Sequence, residues 1–297
     1  MAITTASFPE LLWPGIKEIF GISYQDWPAI WPQFYTVENS TKAFEKVQSV
    51  TGIGLAGKKT EGAPIPYAKP YQGFQKEYVH DTYGVGAVVT QEMYEDEQYG
   101  YINKLPAMIG RSMRHTEETV ATNVINRGFN AAYTGYDGKP LFSTSHLLER
   151  GGEWSNTPAA SADLSQTSLE TALMAIHDFV DGTGLKIFAQ AKAILIPTSL
   201  EMTCKKILNS TQVSGSADND INPINGSLKI IMSPYLTDDD SWYLITNVPN
   251  GLTWMWRRHT KATRDSEHDT QILKFAATAR YTCGWTDPRG IYGVSGS

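Results

Sequence analysis

The chain has 297 residues, 41% hydrophobic and 19% charged, with a net charge of −6. That composition excludes a wholly disordered chain and general nucleic-acid binding through clustered positive charge. Surface scaling at this length gives roughly 12,500 Å² folded against about 48,000 Å² unfolded, so one large core or two ordinary ones can form.

No apolar run approaches the roughly 20 residues of a membrane span. The opening residues, MAITTASFPELLW, lack the positive region of a secretory signal. Cys204 and Cys283 lie far apart without metal-ligand spacing, which predicts two reduced, mostly buried thiols and no zinc site.

Residues 1–36 hold eight aromatic residues: Phe8, Trp13, Phe20, Tyr24, Trp27, Trp31, Phe34 and Tyr35. Pro9, Pro14, Pro28 and Pro32 interrupt the same stretch and predict only short helical turns. Such a segment has much apolar surface and little means of building its own core. It must dock, either on the rest of this chain or on a neighbouring subunit.

Residues 39–49 predict a short helix capped by Asn39 or Ser40. From 50 to 90, seven glycines and three prolines punctuate Tyr- and Val-rich chain. This pattern predicts a long two-stranded excursion with a turn near Glu61–Pro64. An isolated ribbon is marginal in water, so it needs a partner surface.

A helical rod is predicted from about Gln91 to Arg127, with Ile102, Leu105, Ile109, Met113, Val120, Val124 and Ile125 on its apolar face. Pro106 must sit in its first turn or kink it, and Gly128 is placed to stop it. After a polar link from Tyr136 to Pro158 comes an α/β pattern. Thr167–Glu170 and Thr198–Glu201 read as capping boxes. The run Ala191–Pro197 reads as a buried strand. Further strands are predicted at Leu228–Met232, Trp242–Thr246, Leu252–Arg257 and Gln271–Tyr281, with an exposed loop over 209–226.

No constellation for catalysis emerges. Gly52-Ile-Gly54-Leu-Ala-Gly57 fits a dinucleotide fingerprint, but Glu45–Thr51 before it is mostly polar and Pro64 and Pro66 follow too soon for a helix. Lys59 also stands where a phosphate-binding loop needs Ser or Thr. No cofactor is therefore expected. Ser143, Ser145 and His146 lack the nucleophile elbow. His115 and Glu118 share a helix face without a second histidine and read as a salt link or solvated pair. Asp218, Asp220 and Asn222 fail as a calcium loop because Pro223 and Lys229 occupy the glycine and glutamate positions. Asp238–Asp240 reads as a solvated turn. Asn39-Ser-Thr41 and Asn209-Ser-Thr211 are sugar-acceptor patterns, irrelevant without secretion.

Several short motifs occur in a telling order: Leu12-Trp-Pro-Gly15, Lys59-Thr-Glu-Gly62, Thr90-Gln-Glu92, and Asp137-Gly-Lys-Pro-Leu-Phe-Ser143 with His146. Ala191–Pro197, Asn219-Asp-Ile-Asn222, Ser233-Pro-Tyr-Leu236 and Asp287-Pro-Arg-Gly290 complete the series. Over essentially its whole length the chain resembles a tailed-bacteriophage major capsid protein, and most of all the Mu-like major head subunit group.

The resemblance implies an α+β Hong Kong 97-type fold. Its parts would be an N-terminal arm (1–38), an extended loop (39–90), a peripheral domain with a spine helix (91–159), an axial domain (160–265) and a returning C-terminal strand (266–297). It also implies a non-enzymatic virion protein that assembles in the bacterial cytoplasm, through hexamers and pentamers, into an icosahedral shell around double-stranded DNA. Its partners would be copies of itself, portal and scaffolding proteins, and a decoration protein. DNA would be touched only weakly and without sequence preference.

Trp13, Phe20, Trp27, Trp31, Phe34, Lys58, Lys59 and Glu61 are the candidate inter-subunit contacts. Some relatives link subunits through a lysine of the extended loop, but no asparagine partner or acidic catalyst is identifiable for Lys58 or Lys59, which read as surface lysines. The chain starts almost directly at the arm, so a separate scaffold is expected. The alternatives are an encapsulin-type compartment, a minor head or tail component, and a nucleotide-binding enzyme built on the 52–59 glycines.

Overall fold

The computed structural model describes residues 8–50, 52–62, 64–65, 67, 72–90, 92–93, 96, 101–212, 221–267 and 272–296. The chain opens with helix α1 (Phe8–Gln25), a 3-10 turn at Trp31–Gln33 and strand β1 (Thr36–Asn39). Strands β2 (Phe44–Val50), β3 (Gln72–Val79) and β4 (Asp81–Thr90) follow. The long helix α2 spans Tyr101–Asn126. Two short strands, β5 (His146–Leu147) and β6 (Glu153–Trp154), pair with each other. The remainder comprises α3 (Gln166–His177), β7 (Ala191–Ile196), α4 (Glu201–Asn209), β8 (Lys229–Met232), β9 (Trp242–Thr246), β10 (Leu252–Glu267), β11 (Ile272–Trp285) and β12 (Ile291–Val294).

The first sheet has the order β1-β10-β11-β4 and the second β12-β9-β7-β8. In the first, β1 runs parallel to β10, while β10–β11 and β11–β4 are antiparallel. One core joins α2 and the N-terminal segment to the inner face of this sheet. Buried along α2 are Ile109, Met113, Ala121 and Ile125, the stripe its period predicts. The second core lies between the other sheet and helices α3 and α4. Strand β7 serves both: Ala193 and Leu195 join the first core, Ile194 and Ile196 the second. A strand covered on both faces must be apolar at successive positions, which explains its continuous hydrophobic run.

Several expectations are corrected. The predicted 39–49 helix is instead a turn leading into β2, which pairs antiparallel with β3 from Phe44↔Val79 to Val50↔Gln72. Glu45, Val47 and Ser49 are half-covered while Phe44, Lys46 and Gln48 are exposed, a period of two that pairing selects over helix propensity. The prolines do not confine the N-terminal segment to short turns, because α1 is one 18-residue helix. Pro9 sits in its first turn, where no intrahelical partner is lost. Pro14 removes one bond, offset by packing of the helix on α2. Gly110 permits that close crossing: a Cβ there would stand 3.0 Å from the Phe20 carbonyl oxygen.

Pro106 is interior to α2, beyond its first turn. The part of the predicted rod before Tyr101 lies largely outside the described residues. The capping box of α3 is Ser165 with Ser168, not Thr167 with Glu170. The Thr198–Leu200 stretch is a 3-10 turn without a side-chain cap. Strands β10 and β11 run well past their predicted ends, and β1 and β12 carried no sequence signal strong enough to predict.

Asp287–Gly290 closes the two units on each other. Arg289 donates through Nε to the Val180 carbonyl at 2.6 Å and through Nη1 to Asp287 at 3.1 Å. At its end two glycine backbones meet: a Cβ on Gly290 would lie 2.2 Å from the Gly251 Cα. Gly290→Ala should therefore destabilise the purified chain by about 1–3 kcal/mol through overpacking, read as a lower denaturation midpoint in guanidinium.

Candidate assembly interface

The aromatic N-terminal segment docks on its own chain. Trp31, 3% exposed, stacks on Trp254 with ring centroids 4.2 Å apart, and Trp254 stacks in turn on Tyr281 at 4.4 Å. The Tyr35 hydroxyl donates to the Ala121 carbonyl of α2 at 2.9 Å. Phe20, Trp31 and Phe34 are buried in this core, so as candidate inter-subunit contacts they are corrected: a side chain buried within its own chain offers no surface to a neighbour. Trp27 is partly exposed, with the Arg111 guanidinium 5.3 Å over its ring and the His115 ring at 5.2 Å. The side chain of Trp13 lies outside the described residues.

Two adjacent carboxylates of α2 hold this segment. Glu117 accepts from the Tyr24 hydroxyl at 2.7 Å, from Thr260 of β10 at 2.8 Å and from Arg114 at 2.9 Å. Glu118 accepts from the backbone amide of Ile30 at 2.6 Å and, more weakly, that of Trp31 at 3.4 Å. Burial raises the pKa of both carboxyls, against the lowering effect of these hydrogen bonds. Neither the expected His115–Glu118 salt link nor the alternative solvated pair forms, since Glu118 is buried. His115 meets the Tyr235 hydroxyl at 2.5 Å instead. In sequence, a Glu-Glu pair facing a helix partner gave no sign of its burial.

The Asp137–His146 motif is also structural. His146 Nδ1 lies 2.6 Å from the Asp137 carboxylate, and both side chains are buried. Its Nε2 faces Asn156 Oδ1 at 3.1 Å. Asn156 donates to the carbonyls of Leu141, Pro288 and Ile291, knotting this segment to the chain end. Ser143 Oγ accepts from the Ser145 amide, while both imidazole nitrogens face other partners. The cluster therefore lacks the nucleophile–base contact that acyl chemistry requires. Burial pushes the Cys204 thiol up to about 11 and the Cys283 thiol to about 12, which makes both poor nucleophiles. Among the described residues no His, Cys, Asp and Glu cluster of metal-ligating geometry occurs. No described helix is long and apolar enough to cross a membrane.

The surface left over is large. The chain exposes 17032 Å², against roughly 12,500 Å² for a compact monomer of this size. The ribbon adds to it. Its base is held by Phe74 stacked on Tyr136 at 5.9 Å and by Tyr78, whose hydroxyl donates to the Trp285 carbonyl at 2.5 Å. Between Val50 and Gln72 the described residues form no strand; the chain turns at Glu61–Gly62, and Gly54 and Gly62 both have positive φ. Among the described residues no helix follows the 52–57 glycines, so the arrangement a phosphate cradle requires is not formed there. Here Ile53, Ile65, Leu55 at 84% and Tyr67 at 92% exposure stand in solvent, with Lys58, Lys59 and Glu61 exposed among them.

Comparison with known proteins accounts for this shape. A family model described as phage capsid protein matches residues 74–294. The chain belongs to the phage capsid protein family. No curated protein matches the sequence. Among solved structures, the bacteriophage JBD30 capsid superposes with a TM-score of 0.59 at 15% identity, over 80% of this chain and 100% of that one. A Mycobacterium phage Patience structure gives 0.58 at 12%, over 97% and 88%. A virus-like particle from Pyrococcus furiosus gives 0.55 at 10%, over 95% and 98%. The α+β architecture of this capsid protein is of the Hong Kong 97 type, as its sequence motifs implied. Its family is one of structural proteins.

Two consequences follow for the N-terminal segment of the capsid protein. Trp31→Ala removes the centre of the aromatic stack and should lower unfolding free energy by about 3–5 kcal/mol, measured by denaturant titration. The folded pKa of Glu118 exceeds its unfolded value. Its contribution is thus complete below the unfolded pKa and is lost as pH rises through the folded one. Glu118→Gln keeps an acceptor without the ionisation. The thermal midpoint of the variant relative to the native chain should therefore rise between pH 4 and pH 7; a constant difference would contradict the assignment.

Proposed function

We propose that this capsid protein is the major head subunit of a tailed phage, of the Mu-like group. It assembles through hexamers and pentamers into an icosahedral shell around double-stranded DNA. The observation that carries this reading is the match to the phage capsid family, in a chain whose ribbon leaves apolar residues facing solvent. Residues 1–38 act as the N-terminal arm, 39–90 as the extended loop, 91–159 as the peripheral domain, 160–265 as the axial domain and 266–297 as the returning strand. Strand β4, although inside the extended-loop span, is part of the four-stranded sheet, so among the described residues the part of the loop outside that sheet is β2, β3 and residues 52–62, 64–65 and 67.

Function here is summed interface energy. Each contact is weak enough for misplaced subunits to leave, while many contacts per subunit hold the finished shell by avidity. Trp27, Lys58, Lys59 and Glu61 remain candidate contacts because their side chains face solvent. The net charge of −6 suits an inner wall that does not grip DNA. A scaffold, a portal and a decoration protein are the partners such a shell takes, and its place is the virion after assembly in the bacterial cytoplasm. The family match favours this reading over an encapsulin-type compartment.

Recombinant chain should form particles visible by electron microscopy and sedimenting far above a monomer. A monodisperse single-subunit species with a well-folded ribbon would overturn the proposal. Val50 and Gln72 are register partners, so an Asn-Gly turn between them can replace residues 51–71. That variant should keep the circular dichroism and thermal midpoint of the unassembled chain while forming no shells.

A further inference from the structure

The ribbon joins the body at two crossings of the chain. It leaves the first sheet through residues 40–43, between β1 and β2, and returns through His80, the single residue between β3 and β4. Ser40 and His80 are both buried, at 8% and 4% exposure, and they touch each other. His80 Nε2 lies 3.2 Å from Ser40 Oγ. That hydroxyl donates to Glu45 of β2 at 2.5 Å and accepts from the Lys42 amide at 3.1 Å, so its remaining lone pair takes the Nε2 proton. The imidazole is then neutral with Nδ1 bare, and Nδ1 is buried without a hydrogen-bond partner among the described residues. The body holds the same two residues by their backbones. The Ser40 amide donates to the Trp256 carbonyl at 2.7 Å, and Arg280 Nε donates to the His80 carbonyl at 3.4 Å.

The rest of the seat is one-sided. Phe74 and Tyr78 of β3 make the contacts described above. Under β2, by contrast, a cavity of about 630 Å³ separates Val47 and Ser49 from Asp181 and Asn247. A ribbon seated along one strand and open beneath the other can rock about the seated strand. We propose that His80 and Ser40 form a latch, closed by the neutral imidazole and opened by its protonation, that sets the angle of the ribbon on the body. The step is uptake of one proton from solvent at Nδ1. It creates a donor and a positive charge where no acceptor stands. Arg280 of β11 and Arg257 of β10 oppose that charge, while Glu45 of β2 and Asp81 of β4 favour it. Burial and the two arginines prevail, and the pKa of His80 lies below its ordinary value of about 6.5. With the latch open the imidazole meets water and regains that value. The latch is therefore complete above the ordinary pKa and weakens as pH falls below it. Glu45, held low by the Ser40 hydroxyl, stays ionised over this range. The latch is a property of the single chain and is independent of the shell reading.

The test places nitroxide-bearing amino acids at Gln48 of β2 and Lys261 of β10, both exposed, in the full unassembled chain. Double electron–electron resonance then reads the distance between them from pH 7.5 to pH 5. One narrow distance is expected at pH 7.5, and a second population should grow at least about threefold by pH 5. Its midpoint should coincide with the titration of the His80 ring followed by NMR, below about 6.5. His80→Gln keeps an Nε donor for Ser40 without ionising, and should hold the narrow distance at both ends of the range. Ser40→Ala removes the acceptor and should show the second distance at both. A native distance that ignores pH, a transition that persists in His80→Gln, or a midpoint apart from the His80 titration would each overturn the latch. The first and last of these readings keep His80 and Ser40 in place, so they decide the matter even where a variant does not fold.

Discussion

Trp31 inserted between α2 and the first sheet is the contact on which the rest of the body depends. Its ring lies on Trp254, which lies on Tyr281, while its amide and that of Ile30 point at the Glu118 carboxylate. Strands near the end of the chain thus rest on a segment near its start. Aromatic stacking supplies area and preferred geometry. The carboxylate satisfies backbone donors that burial would otherwise strand. Next to it, Glu117 gathers a tyrosine of α1 and a threonine of β10 on one side chain. Spine helix, N-terminal segment and long hairpin are consequently one unit.

The ribbon follows the opposite logic. Two strands have no interior of their own, and the chain beyond Val50 keeps Leu55 and Tyr67 in solvent. In a monomer this would be a liability for solubility. In the shell proposed above it is surface that a neighbouring copy would cover. The molecule therefore divides its apolar side chains in two: those of residues 20–35 largely close its own core, and those described in the ribbon remain in solvent. Aromatic content alone does not distinguish these groups, which is why Phe20, Trp31 and Phe34 read as contacts between subunits yet turn out to be core.

The chemistry-bearing motifs divide in the same way. Asp137, His146 and Asn156 have the residue types of a hydrolytic site but serve as a knot, because their partners are backbone amides, backbone carbonyls and each other. Asp287–Gly290 likewise joins the two cores. Its short spacing was visible in the sequence, but its partner Val180 lies 109 positions away, and only the folded chain brings them together.

Local pattern was enough to determine the α2 stripe, the doubly buried β7, the strand Trp242–Thr246 and the family motifs, because each depends on neighbours within a turn or a strand. The sequence also excluded a phosphate cradle and a calcium loop, since both require fixed residues at fixed spacing. Folding in three dimensions decided the rest. The 39–49 stretch became a strand because β3 offered backbone partners, and α1 runs through Pro14 as one helix whose Phe20 end packs on α2. Glu118 was drawn inside by two distant amides. In each of these cases the free energy comes from contacts far along the chain, which no local window contains.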